Sequence, residues 1–400
     1  MRILFTSTGG SGHFHPLVPF IDACAERGDE VLVVAPPKLE ATLAARDQPY
    51  RIGGEPSAAE FEAVFTRAMN ASPDEGRRIV NTEFFGRLCT AALLPAVEEV
   101  CREWRPDLVL REPCEYAGAV VAGRLGVPHA QVAISAAEIE EFALGVVAPV
   151  LAPYGERIVE QLWAAPYMTR FPASLDPSPF AVTRRFRELV EPAPAPAALP
   201  DWWNGSADPL VYLTLGTEAG GMPDAAAAYR ATLDAVRGLP VRVLLTAGRT
   251  TDVSAFGPLP PNVHMERWVP QADVLGSASV VLCHGGSGTT FGALAAGVPL
   301  VIVPFFADQP ANARLVTTAG AGLSVTPTGG PPDGRAVLGA EDIPRIRSAV
   351  ETVLGDPAYR TAAERLAAET RALPTAAELL DALLLDTLTA VPAPGALDRS

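Results

Sequence analysis

Cys283-His284-Gly285-Gly286-Ser287-Gly288-Thr289-Thr290 follows directly on the apolar run 279–283 and leads into a helical stretch over 289–296. Strand, glycine turn and helix in that order form the repeating unit of a parallel sheet with helical crossovers. In that unit the helix N-terminus gathers backbone N–H groups at the carboxyl end of the strand. Ser287, Thr289 and Thr290 add hydroxyls and His284 a further donor, which together make a cradle suited to phosphate. The lysine of a P-loop is missing. The competing reading, a tight turn without a ligand, leaves this gathering of donors without a purpose.

Working outward, strands are expected at 210–215, 241–246, 262–266 and 299–303, with helices at 224–237 and 308–319. An earlier series repeats the pattern, with strands at 2–7, 30–35, 107–110 and 129–134 and helices at 16–27, 37–46, 57–70, 81–104 and 116–125. Gly28 and Gly126 stand where helix stops are wanted. Between the series lies Glu191-Pro192-Ala193-Pro194-Ala195-Pro196-Ala197-Ala198-Leu199-Pro200, a proline-rich, semi-rigid linker. Three alanine- and leucine-rich stretches, 341–354, 357–371 and 375–389, close the chain before a frayed tail at 391–400. The expected architecture is α/β, with two doubly wound domains facing across a cleft. Its boundaries are 1–190 for the first domain, 191–205 for the linker, 206–372 for the second, and 373–400 for a terminal helix and tail that can return to the first.

Composition agrees with this and narrows the function. The chain has 400 residues, 48% hydrophobic and 19% charged, enough for two self-sufficient cores. A formal net charge of -15 repels nucleic acid and anionic lipid, so neither is expected as a partner. Five cysteines without C-x-x-C spacing favour free thiols, hence a cytoplasmic setting. The N-terminal apolar run is too short for a membrane span and reads as a first strand.

Thr8-Gly9-Gly10-Ser11-Gly12-His13-Phe14-His15-Pro16 follows that strand. It is not a dinucleotide fingerprint, because His15 occupies the place of the third small residue, and this disfavours hydride transfer. His13, at a strand's carboxyl end, is a candidate general base, with a helix-capping histidine as the alternative. Such a base needs a carboxylate to hold its tautomer. Arg111-Glu112-Pro113-Cys114-Glu115 offers Glu112 first and Glu115 second. Alternatively Glu115 caps the next helix and Glu112 pairs with Arg111.

Other loops point at the same crevice. Asp308-Gln309 suits a polyhydroxylated ligand, although Asp308 can equally be a helix N-cap. Trp268-Val269-Pro270-Gln271 can stack a planar base and bond its edge, and Gly216-Thr217 adds a small-residue turn. Phe61, Phe65, Phe84, Phe85, Phe142, Trp163, Tyr167, Met168 and Phe171 fall in the segments of least strand character, 55–90 and 136–175. They are candidates for an apolar acceptor pocket, and many must also serve as core.

Gly12-His13 with Pro16, followed by Trp268-x-Pro-Gln, His284-Gly-Gly-Ser-Gly-Thr, Gly297-Val298-Pro299 and Asp308-Gln309 in order, resembles the nucleotide-sugar-dependent glycosyltransferases of the GT-B fold. Within them the pattern is similar to the bacterial enzymes that decorate antibiotics such as macrolides, aromatic polyketides and enediynes. The resemblance implies an inverting transfer in which His13 takes the acceptor's proton and Glu112 stands where relatives commonly carry aspartate. It implies that His284 and the backbone of Gly286, Ser287, Gly288 and Thr289 hold the leaving diphosphate. Trp268 and Val269 would hold the base, and Asp308 and Gln309 the sugar. Relatives using UDP-sugars commonly carry a glutamate where this chain has Gly292, which implies a dTDP-deoxysugar donor. No Asp-x-Asp motif occurs, so neither a metal nor a cofactor beyond the nucleotide sugar is expected. The expected partners are that nucleotide sugar and a hydrophobic aglycone, with a homodimer left open. Alternatives are a UDP-sugar donor, a nucleotide-sugar 2-epimerase, or a silent partner of another glycosyltransferase.

Overall fold

The computed structural model describes residues 1–188, 199–216, 225–248, 251, 253–330 and 337–390. Thr217, most of the proline-rich linker and the tail 391–400 lie outside them. The first sheet has seven strands: β1 (Arg2–Thr6), β2 (Glu30–Ala35), β3 (Tyr50–Ile52), β4 (Leu108–Arg111), β5 (His129–Val132), β6 (Tyr167–Thr169) and β7 (Thr183–Arg185). The second has six: β8 (Leu210–Thr214), β9 (Arg242–Thr246), β10 (Val263–Glu266), β11 (Val280–Cys283), β12 (Leu300–Ile302) and β13 (Gly322–Ser324). Their orders are β3-β2-β1-β4-β5-β6-β7 and β10-β9-β8-β11-β12-β13, with every neighbouring pair parallel. Each sheet therefore reverses its winding once, between β1 and β4 and between β8 and β11. Open α/β sheets bind ligands outside the strand ends at such points.

The crossovers of the first half are α1 (Ser11–Phe14), α2 (Val18–Arg27), α3 (Glu40–Ala45), α4 (Ala58–Met69), α5 (Pro73–Ile79), α6 (Thr90–Trp104), α7 (Ala117–Leu125), α8 (Ala137–Leu151) and α9 (Ile158–Ala164). The second half carries α10 (Ala225–Val236), α11 (Gln271–Leu275), α12 (Ser287–Ala295), α13 (Gln309–Thr318), α14 (Asp342–Gly355), α15 (Pro357–Arg371) and α16 (Ala376–Ala390). Gly28 and Gly126 end α2 and α7 in the left-handed region that glycine adopts without strain. Helices cover both faces of each sheet. Ile3 and Phe5 enter one core and Leu4 another, while Val211 and Leu213 oppose Leu210 and Tyr212. Burial on both faces explains why the central strands read as unbroken apolar runs.

Three expectations need correction. The stretch 81–104 is helical, but Val80–Cys89 forms a π-helix before α6 begins. Strands β3, β6, β7 and β13, three residues each, gave no clear signal in the sequence. Because β6 lies inside the sheet, Tyr167 and Met168 are fully buried there, and Phe171 is buried just beyond. Trp163, partly buried, packs against Phe180 at the edge of the cluster beneath α8. Tyr167, Met168 and Phe171 are core rather than pocket lining.

The halves meet at several points. Phe171 abuts Phe291 of α12, Ser174 bonds Glu369 of α15, and Glu138 of α8 pairs with Arg314 of α13. Ala376, Leu379, Leu380 and Leu383 of α16 pack into the core beside α2, and Asp381 pairs with Arg27. No helix among the described residues is long and apolar enough to cross a membrane.

Candidate active site

At the first switch point, β1 delivers Thr8 and His13 while β4 delivers Glu112. Gly10, at φ +150°, lets the loop turn into α1, which carries His13. Glu112 is fully buried, with one oxygen accepting from Thr8 N (3.1 Å) and Thr8 Oγ1 (2.6 Å). Its other oxygen accepts from Cys114 N (2.7 Å) and lies 3.2 Å from His13 Nδ1. Thr8 Oγ1 is itself 3.1 Å from that nitrogen, so the hydroxyl bridges imidazole and carboxylate. With the Nδ1 proton held there, Nε2 keeps its lone pair, and the side chain remains 22% exposed.

Burial alone lowers the His13 pKa, but the charge of Glu112 and the hydrogen bond to it, helped by Asp308 and Glu140, leave it raised. Burial pushes Glu112 the other way, and the His13 charge with the Thr8 and Cys114 bonds brings its pKa below the ordinary value. Both shifts favour the imidazolium–carboxylate pair. That is the state a base reaches once it has taken a proton.

Glu115 does not join this pair. It accepts from Thr6 Oγ1 and Gly118 N at the start of α7, and burial raises its pKa. Nor does Arg111 pair with the Glu112 carboxylate. Its buried Nη1 donates to the carbonyls of Glu112, Pro113 and Glu115, and Nη2 to Gln131 Oε1, fixing the loop from which Glu112 projects. Cys114 brings a third ligand atom near His13 and Glu112, all within 4.8 Å. Burial holds its thiol well above the usual pKa, and the Glu112 oxygens already take three hydrogen bonds, a donor set poor for a metal.

At the second switch point, burial lowers His284 to about 4, partly offset by Asp308 and by a bond to the Thr214 carbonyl, so the ring is neutral. Gly216 and Gly286 flank it. A Cβ at either would lie 2.7 Å or 2.5 Å from His284 Nε2, so only glycine fits against that edge of the ring. In the first turn of α12 the N–H groups of Gly288 and Thr289 have no carbonyl one turn back within the helix. Ser287 differs, because its N–H and hydroxyl both donate to Asp308 Oδ2.

Asn312, fully buried, joins Gly285 O, Ser287 Oγ and the same Asp308 oxygen. Gln309 Oε1 accepts from Phe305 N and Phe306 N, holding the turn in which Ala307 adopts φ +55°. Asp308 therefore sits in the cleft with one oxygen anchored, and its charge reaches both His13 and His284. Trp268 is 49% exposed, its neighbour Val269 packs against a core of the second half, and Gln271 opens α11. A Cβ at Gly292 would meet Gln271 Oε1 at 3.1 Å.

On the acceptor side the rings divide. Phe85 of the π-helix lies 5.2 Å from the His13 ring and touches Phe84, which meets Phe65 and Phe61 of α4. Phe142 stands apart under the Arg77 guanidinium.

Sequence comparison places this geometry in a family. Residues 57–216 match the N-terminal domain, and 230–385 the C-terminal domain, described as erythromycin biosynthesis protein CIII-like. The chain belongs to the EryCIII-like glycosyltransferase family. This EryCIII-like chain is 32% identical to the L-demethylnoviosyl transferase of Streptomyces niveus, over 98% of its own length and 100% of that protein. It is also 32% identical to the elloramycin glycosyltransferase ElmGT of Streptomyces olivaceus, over 95% and 96% of the two chains. Among solved structures it resembles the Streptomyces sp. SF2575 glycosyltransferase SsfS6 complexed with thymidine diphosphate, with TM-score 0.71, 25% identity, and 96% and 99% of the chains covered. The two facing parallel sheets are the GT-B fold, and the EryCIII-like chain is a glycosyltransferase of antibiotic natural-product biosynthesis.

Thr8 and Asn312 were not assigned from sequence, and Arg111 only as a partner of the Glu112 carboxylate. Thr8 lay in the quoted loop, but its partner is more than a hundred residues away in the chain. Asn312 follows Asp308 by one helical turn, a spacing that can be read only once the helix is known.

Proposed function

We propose that this glycosyltransferase moves a deoxysugar from a dTDP-sugar to a hydroxyl of a hydrophobic aglycone with inversion at the anomeric carbon. The observation that carries the reading is the Thr8–Glu112–His13 assembly, in which buried Thr8 and Glu112 hold Nδ1 of a His13 side chain that stays 22% exposed, with the Asp308 charge within reach. His13 Nε2 takes the acceptor proton as the acceptor oxygen bonds to the anomeric carbon. The bond from that carbon to the phosphate oxygen breaks on the opposite face, and the diphosphate leaves with the electron pair. The N–H groups of Gly288 and Thr289 stabilise the charge developing on it. Asp308 Oδ1 accepts sugar hydroxyls, and Trp268 stacks the base.

Gly292 supports the thymidine nucleotide. A glutamate there would bring its Cβ into tight contact with the Gln271 side chain, which would have to shift, while a deoxyribose has no 2'-hydroxyl to be satisfied. The thymidine diphosphate held by SsfS6 fits the same reading. The test of inversion is the anomeric configuration of the product formed from an α-linked dTDP-sugar. A β-linked product supports the proposal, and an α-linked product overturns it.

A further inference from the structure

Among the described residues, Phe61 and Met69 are two of the few large apolar side chains left exposed, at 46% and 47%. With Phe65 they are spaced i, i+4, i+8 and share one face of α4. This face does not end in solvent. Phe61 stacks on Phe65 with centroids 4.1 Å apart at 24°, and both meet Phe84 edge-on, at 80° and 76°. Phe84 meets Phe85 at 5.1 Å, and Phe85 meets the His13 ring at 5.2 Å. A continuous aromatic path therefore runs from the surface to the base. Of the neighbouring charges, Arg67 and Arg87 both reach Glu83, which draws these side chains to one another beside the path.

We propose that this aromatic path is the acceptor subsite and that it selects a planar, fused-ring aglycone that presents a phenolic hydroxyl to His13. The inference rests on the function proposed above and names its acceptor class. The rings offer faces and edges to another π-system and no hydrogen-bond partner to a hydroxylated aliphatic ring, so they reward aromatic character over mere hydrophobicity. Continuity with His13 assigns the face to substrate rather than to a protein or lipid partner.

The test is calorimetric titration of the full chain with alizarin, a planar dihydroxyanthraquinone, and with erythronolide B, a non-aromatic hydroxylated macrolactone. Binding of dTDP to the same preparations serves as a separate control. Alizarin is expected to bind at least about tenfold more tightly than the macrolactone. Phe61→Leu, an exposed position where folding is not at stake, is expected to weaken alizarin about tenfold, and Phe61→Tyr to retain it. Equal or tighter binding of the macrolactone, unchanged alizarin affinity in Phe61→Leu, or binding of neither acceptor while dTDP still binds would each overturn the proposal. Loss of dTDP binding in the unmodified chain would instead count against the donor reading.

Discussion

His13 can accept a proton only while neutral, and its raised pKa sets the acid limb of acceptor kcat/KM above the ordinary histidine value of 6.5. Glu112→Gln removes the charge that raises it, so the limb should move to lower pH while kcat falls. A limb that stays in place would separate Glu112 from the base. His13→Ala should lower turnover with an oxygen acceptor by about a hundredfold or more and leave dTDP binding intact. Thr8 acts through the other two. Losing a hydrogen bond to a charged group costs about 1.5 kcal/mol or more, so Thr8→Val should lower kcat about tenfold and Thr8→Ser should not. In a Glu112→Gln background the same change should have little further effect, since a hydroxyl that works through the carboxylate is not additive with it. Full additivity would reduce Thr8 to a packing role.

Among the elements, the π-helix Val80–Cys89 is what aims Phe85 at His13. Gly86 lets it approach α8, where an added Cβ would come within 2.4 Å of Val147 and 2.8 Å of Val150. Gly86→Ala should therefore cost about 1–3 kcal/mol in denaturant unfolding, less whatever helix propensity returns, and should raise the acceptor KM. Unchanged stability and KM would contradict the close packing. The π-helix could not be read from the sequence, because its apolar spacing is close to that of the α-helices on either side. Strands β1 and β11 could be read, since both are apolar runs ending in glycine turns. Strands β6 and β7 could not: Tyr167–Thr169 is too short to alternate, and Thr183–Arg185 is polar. That is also why Met168 passed for pocket lining. An aromatic, apolar segment without strand signal looks the same whether it lines a cavity or fills a sheet.

For the whole molecule, the sequence showed two parallel sheets, and with them the position of His13 and His284 at their switch points. How the halves meet at the cleft was not visible, because Glu138–Arg314 and Ser174–Glu369 each join residues far apart in the chain. Those contacts bring Asp308 within electrostatic reach of His13 and so make one site of two loops. The claim that this cleft is a metal-independent dTDP-sugar site is tested most directly by calorimetric titration of the purified protein with dTDP and, separately, with UDP, both in the presence of chelator. The account predicts that dTDP binds without metal and more tightly than UDP. Tighter binding of UDP, or binding of dTDP only after a divalent cation is restored, would contradict it.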